Sequence, residues 1–219
     1  MLLGVVLLYV GAVLAVNGIW LIGQARAAQP APAPAAAGAG EDRGQVSASV
    51  GGRGVEPPPA RAERSPLLIQ NREVAVLNIF TGFVGVVIAV ILLVQGGIRG
   101  DLASVRGGGF ILLFAFTYLW VAFNQFLDAG GHAFGWYCLF VAITAVPAGI
   151  YTLQNAGGNP ALVWLGINWF AWALLWGVFW ALLALDRPVA RLAGWLAIIE
   201  GILTAWALGF AVLIGALAF

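Results

Sequence analysis

Apolar residues run along this chain in six blocks, at 2–23, 74–95, 109–127, 134–153, 161–185 and 192–217. Each is far longer than a strand, and none alternates with polar residues as a half-buried helix would. About 20 apolar residues rising 1.5 Å each cross about 30 Å of hydrocarbon, so every block predicts a membrane-spanning helix. The breaks after the second block are short, near 96–108, 128–133, 154–160 and 186–191. Two of them carry plain stop signals, Gly157-Gly158-Asn159-Pro160 and Asp186-Arg187-Pro188. The fold class expected is an all-α membrane protein, six transmembrane helices in a compact bundle. The first block has no basic residue ahead of it and reads as a retained helix, not as a cleaved signal.

One break is different. Residues 24–70 open with Gln29-Pro30-Ala31-Pro32-Ala33-Pro34, continue through glycines to Pro57-Pro58-Pro59, and hold seven of the ten prolines. A stretch so poor in large apolar residues cannot offset its ordering entropy, so it predicts a disordered linker. The organisation expected is a first helix at 1–23, this Ala/Pro/Gly-rich loop at 24–70, and the other five helices at 71–219. Together they make one transmembrane domain.

Composition agrees with the blocks: 62% of the 219 residues are hydrophobic and 9% charged, with a mean hydropathy of +0.97. A net charge of +1 offers no patch for nucleic acid. All ten basic residues are arginine. Six (Arg26, Arg43, Arg53, Arg61, Arg64, Arg72) lie between the first two helices and two (Arg187, Arg191) between the last two. Only Arg99 and Arg106 fall on the other side. By the positive-inside rule the eight are cytoplasmic and both ends of the chain are outside. The location expected is a bacterial cell membrane.

Within the six blocks Glu200 is the only charged side chain. A carboxylate at that depth costs a few kcal/mol unless it meets a partner, a bundle interior or water, so it marks function. Gly4, Gly11 and Gly18 recur every seven residues and share a face, with Gly82 and Gly85 less regular, and these predict close helix packing. Trp169, Trp172, Trp176 and Trp180 form one helical stripe, and Phe116, Trp120 and Asn124 another, with Phe123 beside it. A stripe along a whole helix is not an interfacial belt, and two readings stand: packing against a neighbour, or flat walls for a narrow path. Trp195 and Trp206 are belt residues or path walls. Asn17, Asn78, Asn124 and Asn168 are expected to clip helices together, Thr117 and Thr144 to bond their own backbone, and Pro147 to kink the fourth helix.

Catalysis finds little to use. Every serine (Ser47, Ser49, Ser65, Ser104) falls in a predicted loop. The sole histidine, His132, falls in one too, and Cys138 is the sole cysteine. No enzyme, metal site or cofactor is expected. One carboxylate among rings and amides suits an uncharged polar solute better than an ion.

Several stretches resemble the AmiS/UreI family of urea and short-chain amide channels. These are Leu2-Leu3-Gly4-Val5-Val6-Leu7-Leu8-Tyr9-Val10-Gly11 with Asn17-Gly18, and Leu112-Leu113-Phe114-Ala115-Phe116-Thr117-Tyr118-Leu119 with Asn124. Trp136-Tyr137-Cys138-Leu139-Phe140 with Val146-Pro147-Ala148, the Trp169/Trp172/Trp176 stripe and Trp195 to Trp206 around Glu200 complete the set. The resemblance spans all six helices and omits only the 24–70 loop. It implies a homo-oligomer, a hexameric ring with one pore per protomer in the lipid bilayer. It also implies a path lined by Leu7, Leu14, Phe116, Trp120, Trp169, Trp172, Trp176 and Glu200, carrying urea, acetamide or another short-chain amide. A cytoplasmic amidase or urease would consume the solute. The family's acid-gated member senses protons with histidines in long outward loops, whereas the outward loops here are short and hold none. The function expected is therefore a passive channel without acid gating. The alternatives are a proton-coupled transporter using Glu200, and a membrane partner whose Pro-rich loop recruits an enzyme.

Overall fold

The computed structural model describes residues 1–28, 68–127 and 129–219. Most of the 24–70 loop, with its expected disorder, lies outside the described residues. Six helices long and apolar enough to cross a membrane are present, which makes this a multi-pass membrane protein. They are α1 (Leu2–Ala27), α2 (Asn71–Arg99), α3 (Leu102–Leu127), α4 (His132–Gln154), α5 (Pro160–Leu183) and a sixth span in three parts. That span is α6 (Ala190–Glu200), a π-helical turn (Gly201–Trp206) and α7 (Ala207–Leu213).

The helix ends follow local chemistry. Asn159 caps α5, its side-chain oxygen accepting from the amides of Ala161 and Leu162 at 2.9 and 3.2 Å, with Pro160 in the first turn. Gly157 and Gly158 ahead of it adopt φ of +54° and +81°, which favours glycine. α3 begins at Leu102, seven residues before its expected start at 109, and the expected loop 96–108 shrinks to Gly100-Asp101. Gly100 ends α2 in the left-handed conformation, and Asp101 caps α3 by accepting from the amides of Ala103 and Ser104. The run Gly107-Gly108-Gly109, which reads as a break, is helix because Gly108 packs on α2. A Cβ there would lie 2.9 Å from the Ala89 carbonyl oxygen. His132 is the first residue of α4 and not a loop residue, and α4 passes Pro147 without a break.

The helices pair as three antiparallel hairpins: α2 with α3, α4 with α5, and α1 with the sixth span. In lipid no hydrophobic force drives these pairs together, so small residues must let backbones meet. Ala75, Gly82, Ala89 and Gly96 recur every seven residues on α2 and are buried, opposite buried Gly108, Ala115 and Ala122 on α3. On α1, a Cβ on Gly4 would sit 3.3 Å from the Gly209 oxygen, and one on Gly11 would sit 2.8 Å from that of Gly201. Gly18 meets Gly194 in the same way. The partner glycines at 194, 201 and 209 are spaced by seven and then by eight. The extra residue is the one that the π turn absorbs, since a π turn holds more residues than an α turn. Without it Gly209 would rotate off the face that meets Gly4.

Side chains add clips across the same seams. Asn17 and Asn78 donate to each other's side-chain oxygens at 3.1 and 2.7 Å, joining α1 to α2. Thr117 and Thr144 bond the carbonyls of Phe114 and Phe140 in their own helices. Trp195 and Trp206 face outward, about half exposed.

Gly11→Ala places a methyl 2.6 Å from the Cβ and backbone nitrogen of Trp206, and overpacking of that kind costs about 1–3 kcal/mol. Gly97→Ala meets nothing within 4 Å. Denaturation in detergent should show Gly11→Ala unfolding well before the wild type and Gly97→Ala no earlier than it.

Candidate functional site

The first, third and fifth helices leave a cavity of about 520 Å³ between them. On α5 its wall runs from Leu162 to Trp176, a depth of about 21 Å at the helical rise. Leu7, Val10 and Leu14 form the α1 side, and Phe110, Phe114 and Tyr118 the α3 side. The mouth lies at the end where the lining residues Ala103, Tyr151 and Asn155 are exposed, beside Leu3 and the last turn of α4. There the wall turns polar, with Arg106, Thr152 and Asn155 around the Tyr151 ring. The deeper wall is hydrocarbon and aromatic.

Phe114 is the hub of the aromatic wall. Its ring centroid lies 5.4 Å from Trp169, 5.2 Å from Trp172 and 6.1 Å from Trp176. Phe110 meets Trp169 edge-on at 4.9 Å, and Trp169 meets Trp172 edge-on at 5.3 Å. Such offset and edge contacts suit the ring quadrupoles and hold each ring in one orientation.

Trp172 is held further by a relay through the π turn. Its indole nitrogen donates to the Thr204 hydroxyl at 2.8 Å. That hydroxyl donates at 2.5 Å to the main-chain carbonyl of Glu200. Asn168, one turn before Trp172, donates to the Thr204 carbonyl at 2.7 Å. Two α5 side chains therefore grip one residue of the π turn, whose backbone ladder is out of α register.

Of the expected path residues, Leu7, Leu14, Trp169, Trp172 and Trp176 all border the cavity. Glu200 is buried at 6% exposure and its Oε2 has no hydrogen-bond partner. It is not among the bordering residues; Thr204 connects its backbone to the wall. Phe116 and Trp120 correct the expectation for α3. Phe116 is 47% exposed on the outer face, and Trp120 packs on Phe134 and Tyr137 outside the cavity. The facing stripe is Phe110, Phe114 and Tyr118, one turn apart each. Both stripes have the same spacing, and only the longer one continues up through Arg106 and Ala103 to the mouth. Placing residues 96–108 in a loop hid that continuation. Trp180 also leaves its stripe, packing on Trp136 at 6.2 Å with its indole nitrogen buried and unpartnered.

Among the described residues no three His, Cys, Asp or Glu side chains come together as metal ligands. What the arrangement offers is an aromatic wall for a flat, neutral solute in the cavity.

Comparison with known proteins bears on the same geometry. The model of the AmiS/UreI family transporters matches residues 67–216. A putative amidate substrates transporter protein from Mycolicibacterium smegmatis is 32% identical over 213 residues, covering 97% of this chain and 76% of that protein. The acid-activated urea channel of Helicobacter pylori strain J99 is 34% identical over 160 residues, 63% of this chain and 82% of that one. The crystal structure of the urea channel from the human gastric pathogen Helicobacter pylori superposes with a TM-score of 0.70. Its identity to this chain is 30%, over 99% of both chains. By the family match over residues 67–216 and by these likenesses, the chain belongs to the AmiS/UreI family of transporters.

Proposed function

We propose that this protein is a passive membrane channel for urea and short-chain amides, open without acid activation. The observation that carries the reading is the cavity, in which Trp169, Trp172 and Trp176 face Leu7, Leu14 and the Phe114 ring. Urea and acetamide are planar, neutral and strongly dipolar. They fit edge-on between rigid rings, where stacking offers modest attraction. A small inorganic ion would shed its water there without replacement and is rejected. Glu200 stands behind this wall, its main-chain carbonyl accepting from the Thr204 hydroxyl that holds the Trp172 ring. The names of the relatives, an amide transporter and a urea channel, support the same solute class.

The channel works as one pore per protomer in a hexameric ring, with the cavity mouth and both ends of the chain outside. An amidase or urease in the cytoplasm consumes what enters. Absence of acid gating is supported by the placement of the single histidine. His132 opens α4 at the end remote from the cavity mouth, and its Nε2 accepts from the Trp136 indole at 3.3 Å.

Stopped-flow light scattering on proteoliposomes tests this directly, with urea and acetamide at about pH 7.5 and about pH 5, either side of histidine's ordinary titration. Rapid, non-saturating flux at both values is expected, lowered at least tenfold in Trp172→Ala. Flux that appears only in acid would overturn the ungated reading. Saturation with dependence on a proton gradient would replace the channel by a coupled transporter.

The relay has its own signature. Thr204→Val keeps the shape but leaves the Trp172 nitrogen unpartnered, so flux of both amides should fall about tenfold, the equivalent of one buried hydrogen bond. Thr204→Ser keeps the hydroxyl and should conduct within about threefold of wild type. Equal flux in the valine and serine variants would remove Thr204 from any role in holding the ring.

A further inference from the structure

Aromatic walls do not by themselves separate urea from every cation. Guanidinium has the shape of protonated urea, is weakly hydrated, and stacks on the electron-rich faces of indole and phenol rings. A slot walled by Trp169, Trp172 and Trp176 would attract it. The cavity mouth already shows the contact in question: the guanidinium carbon of Arg106 lies 4.1 Å from the centre of the Tyr151 ring. The residue is partly buried and borders the cavity. Its carbon chain leaves α3 two turns above Phe114, on the stripe that faces the solute path.

Among the described residues no carboxylate forms an ion pair with this guanidinium. Asp101, in the same turn region, is committed to its own helix. Its Oδ1 accepts from the amides of Ala103 and Ser104, and its Oδ2 from the Ser104 hydroxyl at 2.6 Å. Those Ser104 bonds hold its carboxyl below the usual range, and the charge that acts on it is Arg99, not Arg106. The polar side chains beside it on α4, Thr152 and Asn155, are neutral. Thr152 spends its hydroxyl on the Ala148 carbonyl and Asn155 its amide nitrogen on the Tyr151 carbonyl. The buried carboxylate, Glu200, is on the sixth span and does not border the cavity.

We propose that Arg106 is the specificity-determining residue that excludes flat organic cations from the path. It does so as a tethered guanidinium that occupies the Tyr151 ring and keeps the mouth positive. The inference rests on the cavity being the amide path. It goes beyond that reading by giving the mouth, and not the tryptophan wall, the task of sorting charge. A neutral amide loses nothing to a fixed charge at the mouth, and its carbonyl oxygen finds guanidinium donors there. A cation meets repulsion that grows as water is excluded from the narrowing path.

The test is the ratio of guanidinium to urea permeability in proteoliposomes, with potassium and valinomycin carrying the compensating charge. Urea flux in each sample reports the amount of conducting protein. Arg106→Gln should raise the ratio at least tenfold, and Arg106→Lys, which keeps the charge, should leave it within about threefold of wild type. In the wild type, raising salt from about 0.01 M to about 1 M shortens the screening length from about 30 Å to about 3 Å. The ratio should rise with it. This second measurement decides the matter if Arg106→Gln fails to assemble. A ratio that moves neither with salt nor in Arg106→Gln, while urea still passes, overturns the charge filter alone. A wild type that passes no urea overturns the channel reading and the filter with it.

Discussion

Backbone contact between glycines is what the rest of this bundle depends on. Where α1 meets the sixth span, a Cβ on Gly11 would lie 2.8 Å from the Gly201 oxygen, and one on Gly201 would lie 2.9 Å from the Gly11 oxygen. No side chain could intervene. Lipid tails are as apolar as leucine, so burying leucine gains little here, and helices associate through dispersion at close range and a few polar clips. Heptads of small residues supply that range in the α1 and α2–α3 seams. With the seams tight, bulky residues are left to the third surface of α1, α3 and α5, and that surface walls the cavity.

The π turn links packing to the wall. It lets three glycine contacts persist along one seam although the spacing changes from seven to eight. It also brings Thr204 to where both Asn168 and Trp172 reach it. The residue that corrects helix register is thus adjacent to the one that orients a wall ring. Packing between α1 and the sixth span and ring orientation on α5 are coupled through a few atoms.

Much of this was legible from residue types. The six spans stood out because nothing but a membrane helix needs 20 apolar residues in a row. The stripe of Trp169, Trp172 and Trp176 and the Gly4, Gly11, Gly18 face were visible as spacing. The α3 wall was not. Phe116-Trp120 and Phe110-Phe114-Tyr118 have equal periodicity, and the choice between them depends on where α3 starts. Three glycines in succession look like a break unless the neighbouring helix that needs Gly108 is known. The partners at 194, 201 and 209 escaped for a related reason: their spacing is irregular until the π turn is counted. Glu200 was conspicuous as a lone charge, but its place behind the wall is a matter of tertiary geometry.

The pairing of α1 with the sixth span places the start of the chain beside Val212, since a Cβ on Gly4 would sit 3.0 Å from a methyl of that valine. The long Pro-rich segment joins α1 to α2, which belong to different hairpins. The cut that would separate the three hairpins most cleanly therefore falls in the chain's longest connection. A circular permutant joined between residues 219 and 1 and opened within 29–67 would run as three consecutive hairpins. In topology the bundle is a closed cycle of three helix pairs.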